Sequence, residues 1–118
     1  MEISGQAVLL RVFVGESDKI GHLPLYEAIV KRARDAGLAG ATVLKGVLGY
    51  GATARIRTTK ILDLSADLSM VVEIVDEEAR VDNFRETLSD LFEQANCGGL
   101  VTLENIRVIH YVPEKGGR

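Results

Sequence analysis

The stretch AVLLRVFV, residues 7–14, decides the fold because it is apolar at nearly every position. The side chains of a β-strand alternate between its two faces, so residues two apart share a face. One face of this stretch carries only aliphatic side chains, those of Val8, Leu10, Val12 and Val14. The other face carries Leu9 and Phe13 beside Arg11 and is largely apolar as well. The pattern predicts the first strand of a sheet, with its aliphatic face in the core.

A helical spacing of apolar residues follows this strand. It extends over residues 24–36 and predicts the first helix there. Pro24 suits the first turn, where its missing N–H needs no partner, and Gly37 suits the C-terminal stop. The second strand is predicted at residues 41–48, weakened by Gly46.

The second half of the chain shows the same two kinds of pattern. Alternating apolar residues predict the third strand at residues 68–75. Asp76 is the predicted N-cap of a second helix, which continues on an i, i+3, i+4 pattern to about Asn96. Gly98 and Gly99 are predicted to end this helix.

The last strand completes a recognisable order of elements. It is predicted within residues 100–112, with a bulge near Glu104 and Asn105, and a polar tail occupies residues 113–118. The order is β-α-β-β-α-β, which predicts an α+β, ferredoxin-like fold: a four-stranded antiparallel sheet with both helices on one face. The 118 residues suit a single domain whose core lies between about residues 7 and 112.

The second face of the predicted sheet indicates self-association. Two helices cover only one face of a four-stranded sheet. The first strand nevertheless places Leu9 and Phe13 on the other face, and the third strand adds Val71 and Val75. An apolar patch of this kind on a monomer usually marks an interaction site. We therefore expect a homo-oligomer whose sheets face inward.

Composition excludes several classes of protein. The net charge of -3 and the pI near 5.4 argue against a general nucleic-acid-binding protein. The longest apolar run, residues 7–14, is interrupted by Arg11 and is too short to cross a bilayer, so direct membrane insertion is not expected. We see no export signal. Cys97 is the only cysteine, which rules out an internal disulfide and favours a cytoplasmic location.

A basic segment, residues 45–60, is the most unusual feature of the sequence. No Asp or Glu occurs between Asp35 and Asp63, and the long connection at about residues 49–62 lies inside this interval. Glycines allow close approach of an anion to the backbone, and Arg or Lys supplies charge-assisted hydrogen bonds. The predicted residues of an anion or nucleotide site are Gly46, Gly49, Gly51, Arg55, Arg57 and Lys60.

The segment and the order of elements also allow other interpretations. The motif G-x-G-x-x-A at residues 49–54 matches a dinucleotide-binding fingerprint, but the required crossover helix and parallel strand do not follow it. The segment could instead dock on a partner, or form a solvated hairpin. RNA-recognition domains share the element order, but they carry stacking aromatics on their central strands, where this chain offers only Phe13.

The remaining reactive side chains predict no catalysis. His22, His110 and Cys97 do not form a metal-binding set, and no nucleophile with a base and an orienting group can be placed. We therefore predict a protein that is not an enzyme, with no catalytic residues, no cofactor and no metal. The loop that contains Ser17 and Asp18 opens the first helix and could add polar contacts to a binding site.

Four blocks of the sequence resemble one family. They are GESDK at residues 15–19, PLYEAIV at 24–30, GLAGATVLKG at 37–46 and GLVTLE at 99–104. With their surroundings they resemble the PII-like family known as domain of unknown function 190. The resemblance covers about residues 7–112, nearly the whole chain.

The resemblance implies a trimer of ferredoxin-like subunits related to nitrogen regulatory PII signal-transduction proteins. Those proteins bind small ligands, mostly adenine nucleotides, in clefts between subunits, and the T-loop after their second strand engages membrane transporters or enzymes. The basic segment occupies the T-loop position. This chain lacks the second glycine-rich nucleotide loop, because Val75 leads directly into the acidic start of the second helix, and its residues 53–57 (TARIR) contain no tyrosine.

The expectation that follows is a regulator that binds a small anion and controls a protein partner through the T-loop segment. Two alternatives remain open. One is an interaction module that uses the basic segment without a ligand, and the other is a metal-tolerance protein similar to the trimeric CutA group.

Overall fold

A four-stranded antiparallel sheet with two helices on one face forms the body of the protein, which confirms the predicted ferredoxin-like fold. The computed structural model describes residues 3, 5–51, 57–58 and 67–114, with residues 57–58 described by their backbone alone. The elements are β1 (Gln6–Gly15), β2 (Lys19–Ile20), β3 (Leu23–Pro24), α1 (Leu25–Asp35), β4 (Ala41–Lys45), β5 (Leu48–Gly49), β6 (Arg57–Thr58), β7 (Ser69–Asp76), α2 (Glu78–Ala95) and β8 (Leu100–Arg107). The main sheet has the order β4-β7-β1-β8, and β2-β3 and β5-β6 form two small hairpins.

The covered face of the sheet forms the hydrophobic core with the two helices. The four aliphatic residues of β1 that were predicted for the core are at most 4% exposed. Strand β7 adds Met70, Val72 and Ile74. The helices contribute Leu25, Ile29, Ala33, Val81, Phe84, Leu88 and Leu91. Because burial of one large aliphatic side chain is worth about 1.5–3 kcal/mol, this alternation fixes which face of the sheet the helices cover.

Helix α1 begins and ends within one residue of its predicted limits. Pro24 occupies the N-cap position. At the other end Gly37 has a φ of 80°, in the left-handed region that favours glycine. The N–H of Gly37 donates to the carbonyl of Arg34 at 3.0 Å, and that of Leu38 donates to the carbonyl of Ala33 at 3.1 Å. These two bonds form a Schellman cap.

The prediction that Asp76 caps α2 is wrong. Asp76 is the last residue of β7, and Glu77 occupies the N-cap position without a side-chain cap bond. The Asp76 carboxylate is fully buried and accepts hydrogen bonds from the backbone N–H of Ala39 at 2.9 Å and of Glu77 at 2.7 Å. It therefore holds the turn after α1 against the end of β7.

Helix α2 ends where predicted, at about Asn96, but the glycine pair is not what ends it. Asn96, with a φ of 50°, ends the helix before the glycine pair is reached. Gly99 is needed for packing, because a Cβ atom there would lie 2.8 Å from the carbonyl oxygen of Phe13 and 2.5 Å from Cε1 of Phe92. The absence of a side chain at Gly99 thus allows the start of β8 to approach both β1 and α2.

The strand predicted at residues 41–48 is divided in the structure. Strand β4 ends at Lys45, and Gly46 donates its backbone N–H to the carbonyl of Ser69 at 2.8 Å. Beyond this bond the chain leaves the main sheet, and β5 pairs with β6 instead.

The predicted bulge near Glu104 and Asn105 is absent from β8. The register with β1 continues without interruption from Gln6 opposite Arg107 to Phe13 opposite Leu100. The two polar residues stay in the ladder because β8 is an edge strand, on which polar side chains remain accessible to water.

Candidate functional site

The predicted anion site lies where the basic segment leaves one edge of the sheet. Gly46 is hydrogen-bonded to β7, as described above. Gly49 of β5 lies opposite Arg57 of β6, so the structure brings the backbones of these two predicted residues together. Gly51 is exposed at the end of the described part of this region.

Two of the predicted basic residues lie outside the described residues. These are Arg55 and Lys60, and of Arg57 only the backbone is described. The binding of a ligand by these three side chains therefore stays a prediction.

The glycines of the segment differ in whether packing against neighbouring atoms requires glycine. A Cβ atom on Gly46 would lie 3.3 Å from the carbonyl oxygen of Ser69, a tight contact. A Cβ atom on Gly49 or Gly51 would meet no atom within 4 Å, and neither residue has a positive φ. Contacts with the described part of the chain therefore do not require glycine at Gly49 or Gly51.

Both ends of the segment that joins β4 to β7 contact the same turn, which we call the 15–18 turn. The ammonium group of Lys45 lies 2.9 Å from a carboxylate oxygen of Glu16. The carboxylate of Asp67, which lies two residues before β7, accepts a hydrogen bond from the backbone N–H of Ser17 at 2.8 Å. The sequence predicts this turn only as a source of polar contacts, because the pairing of Ser17 with Asp67 depends on the fold.

Gly15 is the residue that allows this arrangement. Its backbone N–H donates to the Asp18 carboxylate at 2.8 Å. A Cβ atom on Gly15 would lie 2.9 Å from one carboxylate oxygen of Asp67 and 3.2 Å from one of Asp18. The two carboxylates therefore crowd the end of β1, and glycine at the start of the block GESDK is explained by this crowding.

Cys97 lies next to the same turn but is not an activated thiol. Burial raises the pKa of the Cys97 thiol, and the negative charge of Asp18 and a hydrogen bond with its carboxylate raise it further. A raised pKa keeps the thiol protonated at neutral pH, which is the opposite of what a nucleophilic cysteine requires.

An open groove of about 730 Å³ lies at the opposite end of the sheet from the basic segment. It is bounded by the start of α2 and by the ends of β1 and β8, and its charged lining residues are Glu77, Glu78 and Arg107. The mixture of charges and the distance along β1 separate this groove from the predicted anion site.

The described residues provide neither a metal-binding cluster nor a membrane-spanning helix. Across residues 5–51 and 67–114, no group of three or more His, Cys, Asp or Glu side chains is placed to hold a metal ion. Neither α1 nor α2 combines the length and the apolar character needed to cross a membrane.

Comparison with known proteins shows which solved structures share this architecture. Among solved structures, the fold is similar to that of CPII, a nitrogen regulatory PII-like protein from Thiomonas intermedia K12 in a complex with ADP, AMP and bicarbonate. The TM-score is 0.65 at 18% identity, over 87% of this chain and 88% of CPII. A second CPII structure, bound to ADP and bicarbonate, gives a TM-score of 0.62 at 19% identity over the same shares of the two chains. The fold is thus that of the PII-like proteins.

Sequence comparison then gives the family. The profile of the DUF190 family, described as "Uncharacterized ACR", matches residues 7–108. The chain is 39% identical over 102 residues to a UPF0166 protein of Aquifex aeolicus, covering 86% of this chain and 92% of the relative. It is 32% identical over 103 residues to a UPF0166 protein of Methanocaldococcus jannaschii, covering 87% and 92%. The chain belongs to the DUF190 family, as its sequence blocks predicted.

Proposed function

We propose that this protein is a PII-like regulator that binds a small anionic ligand, such as a nucleotide, through the basic segment. The observation that carries the proposal is a PII-like fold with a basic segment, residues 45–60, that begins at the last residue of β4 and holds four basic residues and no carboxylate. CPII, which shares the fold, is bound to ADP, AMP and bicarbonate. These three ligands are all anions, so the chemistry of the basic segment suits the same class.

The proposed ligand contacts combine backbone and side chains. Phosphate and carboxylate groups accept charge-assisted hydrogen bonds from Arg and Lys, and Arg55, Arg57 and Lys60 would supply them. Gly49 and Gly51 have open space around them in the described part of the chain, so a ligand can approach their backbone closely. No step of this role requires a catalytic residue or a cofactor.

The proposed active form is a homotrimer whose open sheet faces point inward, with the ligand held between subunits. Leu44 and Leu100, at the two edges of the open face, are 49% and 56% exposed. Exposed aliphatic side chains of this size at both edges, with Phe13 and Val71 between them, form a continuous apolar surface of the kind that subunit contacts cover.

Control of a partner would pass through the segment at about residues 49–62. A ligand shifts a conformational equilibrium only by its difference in affinity for the two states. The bound anion would favour one arrangement of this segment, and that arrangement would bind or release a protein partner such as a transporter or an enzyme. The contacts of Lys45 and Asp67 with the 15–18 turn keep both ends of the segment attached to the body of the protein.

A second candidate function is supported by apolar residues at the start of the same segment. Val47, Leu48 and Tyr50 are 65%, 63% and 68% exposed. Exposed apolar and aromatic residues next to basic ones are typical of protein interfaces. The segment could therefore contact an acidic partner surface directly, as an interaction module that needs no ligand.

Thermal shift and titration calorimetry with ADP, AMP and bicarbonate test the proposal. We expect at least one of these anions to raise the melting temperature. The Arg55→Ala, Arg57→Ala double variant should weaken that binding at least tenfold, because one hydrogen bond to a charged group contributes about 1.5–3 kcal/mol.

The matched control is the Arg32→Ala, Arg34→Ala double variant, which removes the same charge from the exposed side of α1. It should bind the anion like the wild-type protein. No stabilisation by any of the three anions, or equal loss in both double variants, would contradict the proposal. The first of these results would favour the interaction module.

A further inference from the structure

The ion pair between Lys45 and Glu16 shows how the basic segment can hold an anion. Lys45 is the last residue of β4 and the first basic residue of the segment. Its ammonium group lies 2.9 Å from a carboxylate oxygen of Glu16, the residue that directly follows β1. A carboxylate and the anions proposed above belong to one chemical class, because charge-assisted hydrogen bonds hold both. Glu16 therefore occupies a position on Lys45 that also suits an anionic ligand.

Lys45 keeps both hydrogen-bonding capacity and access to solvent in this pair. An ammonium group has three N–H donors, and the contact with Glu16 involves one carboxylate oxygen. The side chains of Lys45 and Glu16 are 48% and 33% exposed. A ligand can therefore reach the ammonium group from solvent, and water can hydrate the carboxylate that the ligand displaces.

Glu16 differs from the two other carboxylates next to the 15–18 turn. Asp18 and Asp67 each accept a hydrogen bond at 2.8 Å from a backbone N–H group of this turn. Loss of either carboxylate would leave a backbone donor without its acceptor. Within residues 5–51 and 67–114, in contrast, Lys45 is the polar partner of the Glu16 side chain, and no second one accompanies it. The Glu16 carboxylate can therefore leave Lys45 without breaking the turn.

The backbone on both sides of the ion pair is held independently of it. The N–H of Glu16 donates to the carbonyl of Leu68, and the N–H of Gly46 donates to the carbonyl of Ser69, each at 2.8 Å. These bonds do not involve the two charged groups. A change of partner at Lys45 therefore requires the rotation of two side chains, and the start of the segment stays attached to β7.

We propose that Lys45 is a further anion-binding residue, and that an anionic ligand takes the place of Glu16 on its ammonium group. The inference rests on the anion binding proposed above and adds the residue that competes with the ligand. An ion pair between partly exposed side chains changes an equilibrium by no more than about fivefold, so Glu16 weakens binding without preventing it. Glu16 is thus a specificity-determining residue, because it lowers the affinity only of anions that bind Lys45.

Removal of the competing carboxylate tests the inference. The probe is whichever of ADP, AMP and bicarbonate the wild-type protein binds most tightly by calorimetry. Glu16→Gln should bind this anion about two- to fivefold more tightly than the wild-type protein, because Lys45 no longer has to leave a carboxylate. Lys45→Gln should bind it at least about threefold more weakly, because a hydrogen bond from a charged donor is lost.

A double variant and a matched control separate competition for Lys45 from a general change of charge. Once Lys45 is replaced by Gln, Glu16→Gln should no longer change the affinity. Asp67→Asn removes one negative charge beside the same turn, keeps an oxygen that can accept from Ser17, and leaves the ion pair of Lys45 intact. In about 0.15 M salt, which screens separated charges, this control should tighten binding clearly less than Glu16→Gln. Thermal unfolding without ligand checks that each variant is folded.

The outcomes distinguish this inference from the ligand proposal. Anion binding that Glu16→Gln does not strengthen, or that Lys45→Gln does not weaken, would overturn the inference and leave the ligand proposal standing. Equal tightening by Glu16→Gln with and without Lys45 would overturn it as well. An anion that binds through Lys45 by these tests, but binds the Arg55→Ala, Arg57→Ala variant like the wild-type protein, would contradict the proposed arginine contacts and leave this inference standing. No binding of any of the three anions would contradict both.

Discussion

The two faces of strand β1 show how differently one stretch of sequence can be used. Leu10 and Val12 on the covered face are at most 1% exposed, and their packing is completed by α1, α2 and β7. Leu9 and Phe13 on the open face are only partly covered by the chain itself. The covered face therefore explains the stability of the folded chain, whereas no packing within the described residues explains why the open face is apolar.

The same contrast extends to polar residues and glycines. Asp76 and Gly99 are fixed by contacts inside the chain, whereas Asp82 and Gly49 meet little beyond solvent. Residues of the first kind should matter for unfolding, and residues of the second kind should matter only when a ligand or partner is present. Paired substitutions test this division.

The largest difference is expected between neighbours on β1. Leu10→Ala should lower the free energy of unfolding by about 2–5 kcal/mol at any protein concentration, because it leaves a cavity in the core. Leu9→Ala should have a small effect in dilute solution and a larger one where the chain is associated. Denaturant unfolding at two protein concentrations measures both. Equal losses for the two variants in dilute solution would remove the distinction between the faces.

The next pair compares two aspartates. Asp76→Ala should cost about 2–4 kcal/mol, since it leaves the partly buried N–H groups of Ala39 and Glu77 without their acceptor. Asp82→Ala should change stability by less than about 1 kcal/mol, because its contact with Arg85 is exposed. Thermal unfolding of both variants provides the comparison. A stable Asp76→Ala protein would show that water replaces the carboxylate easily.

A smaller effect is expected at the glycines. Gly99→Ala should destabilise by about 1–3 kcal/mol, because the added Cβ atom collides with the backbone oxygen of Phe13, which cannot move without disturbing β1. Gly49→Ala should leave stability nearly unchanged and should weaken anion binding if the ligand approaches that backbone. Chemical denaturation measures the stability of both variants, and calorimetry measures their anion binding. A destabilised Gly49→Ala protein would contradict the assignment.

The smallest effect concerns chemistry rather than stability. Because Asp18 raises the pKa of Cys97, Asp18→Asn should lower that pKa and increase the thiolate fraction at a fixed pH. The rate of alkylation by iodoacetamide at pH 8 should rise several-fold relative to the wild-type protein. Asp82→Asn is the control and should react at the wild-type rate. An unchanged rate for Asp18→Asn would mean that burial alone protects the thiol.

The fold was predictable because its elements are long and strongly periodic. The apolar alternation in β1 and β7 extends over several residue pairs, and the helical spacing in α2 extends over several turns. These repeated patterns predict the core residues. Ends of elements depend on single contacts instead. Asp76 looks like a helix cap in the sequence, and only its partner Ala39, distant along the chain, reveals its role.

The candidate site was less predictable for a related reason. Sequence identified the basic segment from composition and placed it correctly after the second strand of the main sheet. It did not foresee that Glu16, Ser17 and Asp67 hold the ends of that segment, because these residues meet only when β1 and β7 pair. The contacts of Arg55 and Lys60 remain predictions.

The attachment of Lys45 and Asp67 to adjacent residues of the 15–18 turn has a consequence for the engineering of this protein. The contacts of Lys45 and Asp67 with the body of the protein set the distance between these two residues. The residues between them do not set it. The entropy of closing a flexible loop grows only with the logarithm of its length, so that doubling the length costs about 0.6 kcal/mol. A peptide or a reporter domain inserted between Lys45 and Asp67 is therefore expected to cost the sheet little stability, because these two residues keep their contacts with the 15–18 turn.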